Sequence, residues 1–207
     1  MGDSEFVCFA KQIIEEEMAI DPDLIGYKIH DDNRSAYLNF FHSNNTFTEN
    51  DNIRMLSLQF ILTLVSTLVK GDYFRRNDEV QQYIELYNNE FDRASEIDDS
   101  LVRIVKFIGE IELDKKSYWY NKANIFTLIC ELFQIDISQI NSEKLKNELE
   151  QFESEYKAYY SNEFQTDNHE HAKYFEYSRE GVNEKSARDH RGNIIEKLLY
   201  KSIDADE

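Results

Sequence analysis

The sequence predicts an all-α fold, an irregular bundle of about eight to ten helices. Three observations lead there. Apolar residues recur at three- and four-residue spacing along most of the chain; one proline and six glycines leave few of the tight turns that an all-β domain needs; and no segment alternates apolar with polar residues as a strand does. No internal repeat is visible. A chain of 207 residues with 41% apolar content is long enough to bury one substantial core, so a single helical domain spanning residues 1–207 is expected.

In chain order, Ser4 is placed to cap a first helix carrying Phe6, Phe9, Ile13 and Ile14 on one side, ending before Asp21 and Pro22. After a polar stretch comes a short amphipathic piece around Tyr37, Leu38, Phe40 and Phe41, and residues 42–51 read as a loop. Thr48 precedes the most apolar helix, whose Ile53, Leu56, Phe60, Ile61, Leu64, Val65 and Leu68 keep helical spacing until Gly71 stops it, which places it at the centre of the core. Asn77 or Asp78 opens a helix with Val80, Tyr83, Ile84, Tyr87 and Phe91 in register, and Asp98 or Asp99 begins one with Leu101, Ile104, Val105 and Ile108. A broad apolar stripe runs from Tyr118 to Phe133. Ser142 caps a long helix with Leu145, Leu149, Phe152, Tyr156 and Tyr159 inside, and a polar loop over residues 161–171 leads to a final pair of helices.

Charge narrows the functional classes. With 41 acidic and 23 basic residues the formal charge is −18, so the averaged surface repels phosphate and any nucleic-acid contact must be a local basic patch, within the roughly 8 Å reach of electrostatics at physiological salt. Cys8 and Cys130 lie far apart inside apolar patterns and read as buried hydrophobes in a reducing compartment, with no zinc pattern open to them. The absence of a signal-like start, or of an apolar run near the roughly 20 residues of a membrane span, predicts a cytoplasmic protein with no membrane partner.

Most groups with chemical potential have a plain structural explanation. His169 and His171 are two apart and on a helix would not share a face, and Asp167 and Glu170 complete no ligand set, so they read as a solvated helix start; no metal or cofactor is expected. The acidic clusters at Glu15 to Glu17, Asp31 and Asp32, and Asp98 and Asp99 read as solvated helix ends, the last favoured by the helix macrodipole. Trp119, between Tyr118 and Tyr120 with Lys116 and Lys122 nearby, is either a stacking platform for unpaired bases or part of the core. The best local anion site is Lys185, Arg188 and Arg191, one turn apart on a helix that Asn183 or Ser186 is placed to cap and whose apolar side is Ile194, Ile195, Leu198 and Leu199. Either these cations meet a phosphate, a nucleotide or a partner's acidic groups, or they pair with Glu184, Asp189 or an acid on a neighbouring helix. No complete catalytic set is legible.

Two resemblances bear on function. The run from Arg188 through His190 to Asn193 is similar to the arginine and histidine signature of the HEPN ribonucleases, but Asn193 stands where that motif has its acid-base histidine; this gives the alternative of a degenerate ribonuclease using Arg188 and His190. A longer resemblance covers almost the whole chain. Ile53 to Gly71, with its Arg54 and Met55 opening, Tyr87 to Asp92, Ser117 to Phe133, and Tyr177 to Leu199 with Arg188 and Arg191 look like the helical region of the ParB/sulfiredoxin-like, GmrSD-type family of bacterial restriction proteins, and Gly2 to Ile13 resembles the point where that region leaves the family's first domain. Nothing here matches the Asp-Gly-Gln-Gln-Arg motif of that first, nuclease domain. The resemblance therefore implies a non-catalytic recognition or scaffolding module of a restriction or phage-defence protein, contacting nucleic acid, nucleotide or a nuclease domain in cis or in trans through Lys185, Arg188 and Arg191. A second copy of the chain, and an acidic adaptor or nucleic-acid mimic, are the other open alternatives for partner and role.

Overall fold

The computed structural model describes residues 4–17, 25–75, 78–161 and 168–204, and the fold over them is all-α, with ten α-helices and no strand. The chain divides into two compact units, residues 1–106 and 107–207. No helix among the described residues is long and apolar enough to cross a membrane.

The first unit is built around α1 (Glu5–Ile14). Ser4 caps it by accepting from Val7 N, as expected, and the first-turn N–H groups of Glu5 and Phe6, which have no acceptor within the helix, donate to Asn88 O and Tyr87 O. The apolar face of α1 packs against α2 (Asp31–Ser43) and α4 (Leu56–Lys70), with Phe6 and Phe9 edge-on to Phe91 at 5.1 and 5.2 Å. Buried Gln12 accepts from Ile29 N and donates to Tyr27 O, which fastens the segment leading into α2. Asp21, Pro22 and Asn77 lie outside the described residues. So does the junction that would open α5 (Asp78–Leu86).

Two expectations for this unit are corrected. The apolar stripe from Ile53 to Leu68 is not one helix: Thr48 and Asp51 form a reciprocal capping box on a five-residue α3 (Glu49–Ile53), and the chain breaks at Arg54 and Met55 before α4 begins. Met55 is held in the left-handed region at φ 55°, a conformation that costs a side-chain-bearing residue roughly 1–2 kcal/mol. Gly71 ends α4 at φ 72°, where the missing Cβ removes that cost. Asp98 is also not a helix start. The helix α6 (Ala94–Glu110) begins a turn earlier, and the Asp98 carboxylate is buried, accepting from Tyr37 OH at 2.6 Å, Tyr27 OH at 3.0 Å and Asn33 Nδ2 at 3.2 Å.

The second unit packs α10 (Lys185–Lys201) against α7 (Lys122–Phe133), α8 (Ser142–Tyr160) and α9 (His169–Tyr177). Asn141, not Ser142, caps α8, accepting from Lys144 N at 3.0 Å, and Asn121 caps α7 in the same way after a 3₁₀ turn at Tyr118–Tyr120. Trp119 and Phe152 meet Tyr174 in the core, and Ile195 and Leu199 of α10 are buried as well. Cys8 and Cys130 are both buried.

Candidate functional site

The α9–α10 turn is where sequence reasoning put the anion site. Asn168 caps α9, whose last carbonyls face the seven residues before Lys185, with Gly181 at φ 62° inside the turn. Neither Asn183 nor Ser186 caps α10; Glu184 occupies the cap position and makes no side-chain cap bond.

Arg191 is 1% exposed. Its Nη1 donates to Tyr177 O at 2.7 Å, its Nη2 to Val182 O at 3.0 Å and its Nε to Thr127 Oγ1 at 3.2 Å. One planar guanidinium therefore joins the end of α9, the turn and the middle of α7 to α10, a task that suits a fixed five-donor fork. Arg188 is 3% exposed, with its guanidinium 4.7 Å from the centroid of the Phe126 ring and its Nη2 3.4 Å from Asn183 Oδ1. Lys185 is exposed and stands 3.1 Å from Asp189. So the three cations do not converge on solvent. Two face inward toward α7, and the third pairs along its own helix.

Helical spacing explains the inward placement. Counting back from Leu198 by three and four reaches Ile195, Arg191 and Arg188, so both arginines extend the apolar stripe of α10. That continuation was the available signal.

His190 points elsewhere. Its Nε2 is 2.9 Å from Glu170 O, which requires that nitrogen to carry the proton, and its ring is edge-on to Tyr177 at 5.6 Å. It is thus engaged with α9 while Arg188 is engaged with Phe126. Trp119 is fully buried, with Nε1 donating to Leu149 O at 2.8 Å, so its faces are covered by protein. His171 Nδ1 lies 2.6 Å from Glu155 Oε2, and Asp167 lies outside the described residues. Among the described residues no cluster of three metal-ligating side chains exists.

Sequence reasoning did not single out a cavity of about 330 Å³ in the first unit, where Ile14, Glu15 and Glu16 at the end of α1 meet His42 of α2 and the α3–α4 corner at Met55 and Leu58. Arg34 Nη2 donates to Glu15 O and Glu16 O at 2.5 and 2.7 Å, occupying carbonyls left over at the end of α1. His42 Nδ1 stands 3.2 Å from Glu16 Oε1. Comparison with known proteins gave no match: no family model, curated protein or solved structure is significantly similar to this chain.

Proposed function

We propose that this chain is a non-catalytic helical recognition module that acts by docking another protein, and that the partner is a nuclease domain of a restriction or phage-defence system, as the GmrSD-type resemblance implies. The observation that carries the reading is what happens to the cations on and beside α10. Arg188 and Arg191 are committed to the packing of α10, and the exposed Lys144, Lys185, Lys197 and Lys201 each stand within 3.2 Å of a carboxylate. A phosphate would have to displace those carboxylates against a net charge of −18. Docking a protein carries no such cost.

Co-expression with a polypeptide carrying the Asp-Gly-Gln-Gln-Arg nuclease domain tests the reading, and the expected result is co-elution of the two at equal stoichiometry. Labelled duplex DNA, single-stranded DNA and RNA should show neither a shift at physiological salt nor cleavage. RNA cleavage abolished by His190→Ala would overturn the reading in favour of a ribonuclease. A shift whose affinity falls steeply with salt would overturn it in favour of direct phosphate contact.

A further inference from the structure

We propose that the α3–α4 corner and the cavity beside it form a docking site for a protein segment carrying an apolar side chain flanked by lysine or arginine. This rests on the recognition-module reading and names the face and the partner chemistry that serve it.

The corner presents apolar surface where water is the alternative. Ile53, the last residue of α3, is 71% exposed, and Met55, in the break before α4, is 53% exposed. An amphipathic chain with a well-filled core has no packing reason to leave two large apolar side chains, two residues apart in sequence, open to solvent. Between Met55 and the end of α1 lies the cavity, with Ile14 and Leu58 among its apolar lining residues and Glu15, Glu16 and His42 among its polar ones. At about 330 Å³ it is at the lower end of the roughly 300–1,000 Å³ range of ligand pockets, which fits one or two side chains and not a whole domain.

Charge selects the occupant. Glu15, Glu16 and Glu17 follow the end of α1 in succession, three carboxylates against the two guanidinium groups of Arg34, which is bonded to the Glu15 and Glu16 carbonyls, and Arg54 at the corner, so the face stays net acidic in a chain of net charge −18. A second copy of the chain would bring the same excess of carboxylates to this face. A segment with basic residues on either side of its apolar anchor meets the field favourably and gains on-rate as well as specificity. Met and Ile supply adaptable apolar contact for the anchor, and the cationic flanks set its register against Glu16.

The test uses the full chain and fluorescence anisotropy with three labelled synthetic peptides of equal length: one of lysines and leucines, one with serine in place of every leucine, and one with glutamate in place of every lysine. The Lys/Leu peptide should bind at least tenfold more tightly than either control. Met55→Gly, which removes the side chain and relieves the positive φ, should weaken that binding at least tenfold while leaving the melting temperature equal to or above that of the parent chain. Glu16→Lys should weaken it similarly. Amide shifts on titration should fall on residues 14–16, 42 and 52–58. Ile53→Ser serves as the second apolar deletion and carries no backbone change.

Equal binding of the Lys/Ser peptide would overturn the proposal, since it would mean general attraction to an acidic surface. So would equal binding by the parent and both apolar deletions, or self-association of the chain that Met55→Gly abolishes, which would make a second copy the occupant. If the peptides fail while the nuclease domain still co-elutes with the chain, the docking face lies elsewhere and the module reading stands; if both fail, both fall.

Discussion

At the scale of single residues, the buried polar groups are where this fold is most vulnerable. Arg191 serves three acceptors on three different pieces of chain, so Arg191→Ala leaves Tyr177 O, Val182 O and Thr127 Oγ1 facing a void that water fills poorly. We expect a loss on the order of 3 kcal/mol, and Arg191→Lys should recover little of it because an ammonium has no planar fork to span the three sites. Urea denaturation followed by far-ultraviolet circular dichroism measures both; wild-type midpoints for these variants would mean the guanidinium is not holding the turn. In the first unit Asp98 plays the corresponding part as acceptor. Asp98→Asn turns one of its oxygens into a donor that faces the hydroxyl or amide it used to receive, with an expected cost of about 2 kcal/mol, against roughly 1 kcal/mol for Tyr37→Phe, which removes one donor and leaves Tyr27 and Asn33 bonded. A double-mutant cycle on Asp98 and Tyr37 should show coupling, because the two share one hydrogen bond.

At the scale of elements, chain direction changes are set by caps, and caps are separable from packing by mutation. Asn121→Ala and Asn141→Ala should each cost about 1 kcal/mol, or about 2–4 °C in melting temperature for a chain of this size, whereas Ser142→Ala and Ser186→Ala, which remove neighbours that cap nothing, should leave it unchanged. The same comparison shows what was legible in the sequence. Helix periodicity identified the apolar stripes of α1, α4, α7 and α8, and Ser4 and Gly71 marked true ends, because an isolated cap former next to an apolar stripe leaves one solution. Where two cap formers adjoin, as at Asn141 and Ser142, the pattern is shifted by one residue without penalty. The break at Met55 was hidden because Ile53, Leu56 and Phe60 keep helical spacing across it, and only the Thr48–Asp51 capping box signals a separate short helix. Asp98 was hidden for a different reason: an aspartate pair is a good helix start, and its actual partners, Tyr27, Asn33 and Tyr37, are more than sixty residues away in sequence. At the α9–α10 turn the charge of Arg188 and Arg191 drew attention to solvent, although their spacing continues the stripe of Leu198 and Ile195 into the core.

At the scale of the whole molecule, the aromatic cores of the two units make stability depend on keeping phenols protonated. Burial raises the pKa of Tyr37, with its hydrogen bond to Asp98 acting in the same direction; burial likewise raises those of Tyr118 and Tyr174. The unfolded chain gives up these protons near the ordinary phenol value of 10.0, and the folded chain holds them to higher pH. The stabilisation is therefore complete below pH 10 and is lost as pH rises above it, because the unfolded state then binds fewer protons than the native state. Each such phenol contributes a slope of about 1.4 kcal/mol per pH unit in that range, so three together remove about 4 kcal/mol per unit from a total of roughly 5–15 kcal/mol. Alkaline unfolding should follow within about one to four units above pH 10 by this arithmetic. Tyrosinate absorbance at 295 nm should rise in two stages, the exposed phenols first and the buried ones in step with the loss of helical dichroism. Replacing Tyr37 with Phe removes one of the three and should make the fall above pH 10 shallower while lowering stability at neutral pH. A single smooth tyrosine titration that finishes before any helix is lost would mean that these hydroxyls are already open to water in the native state.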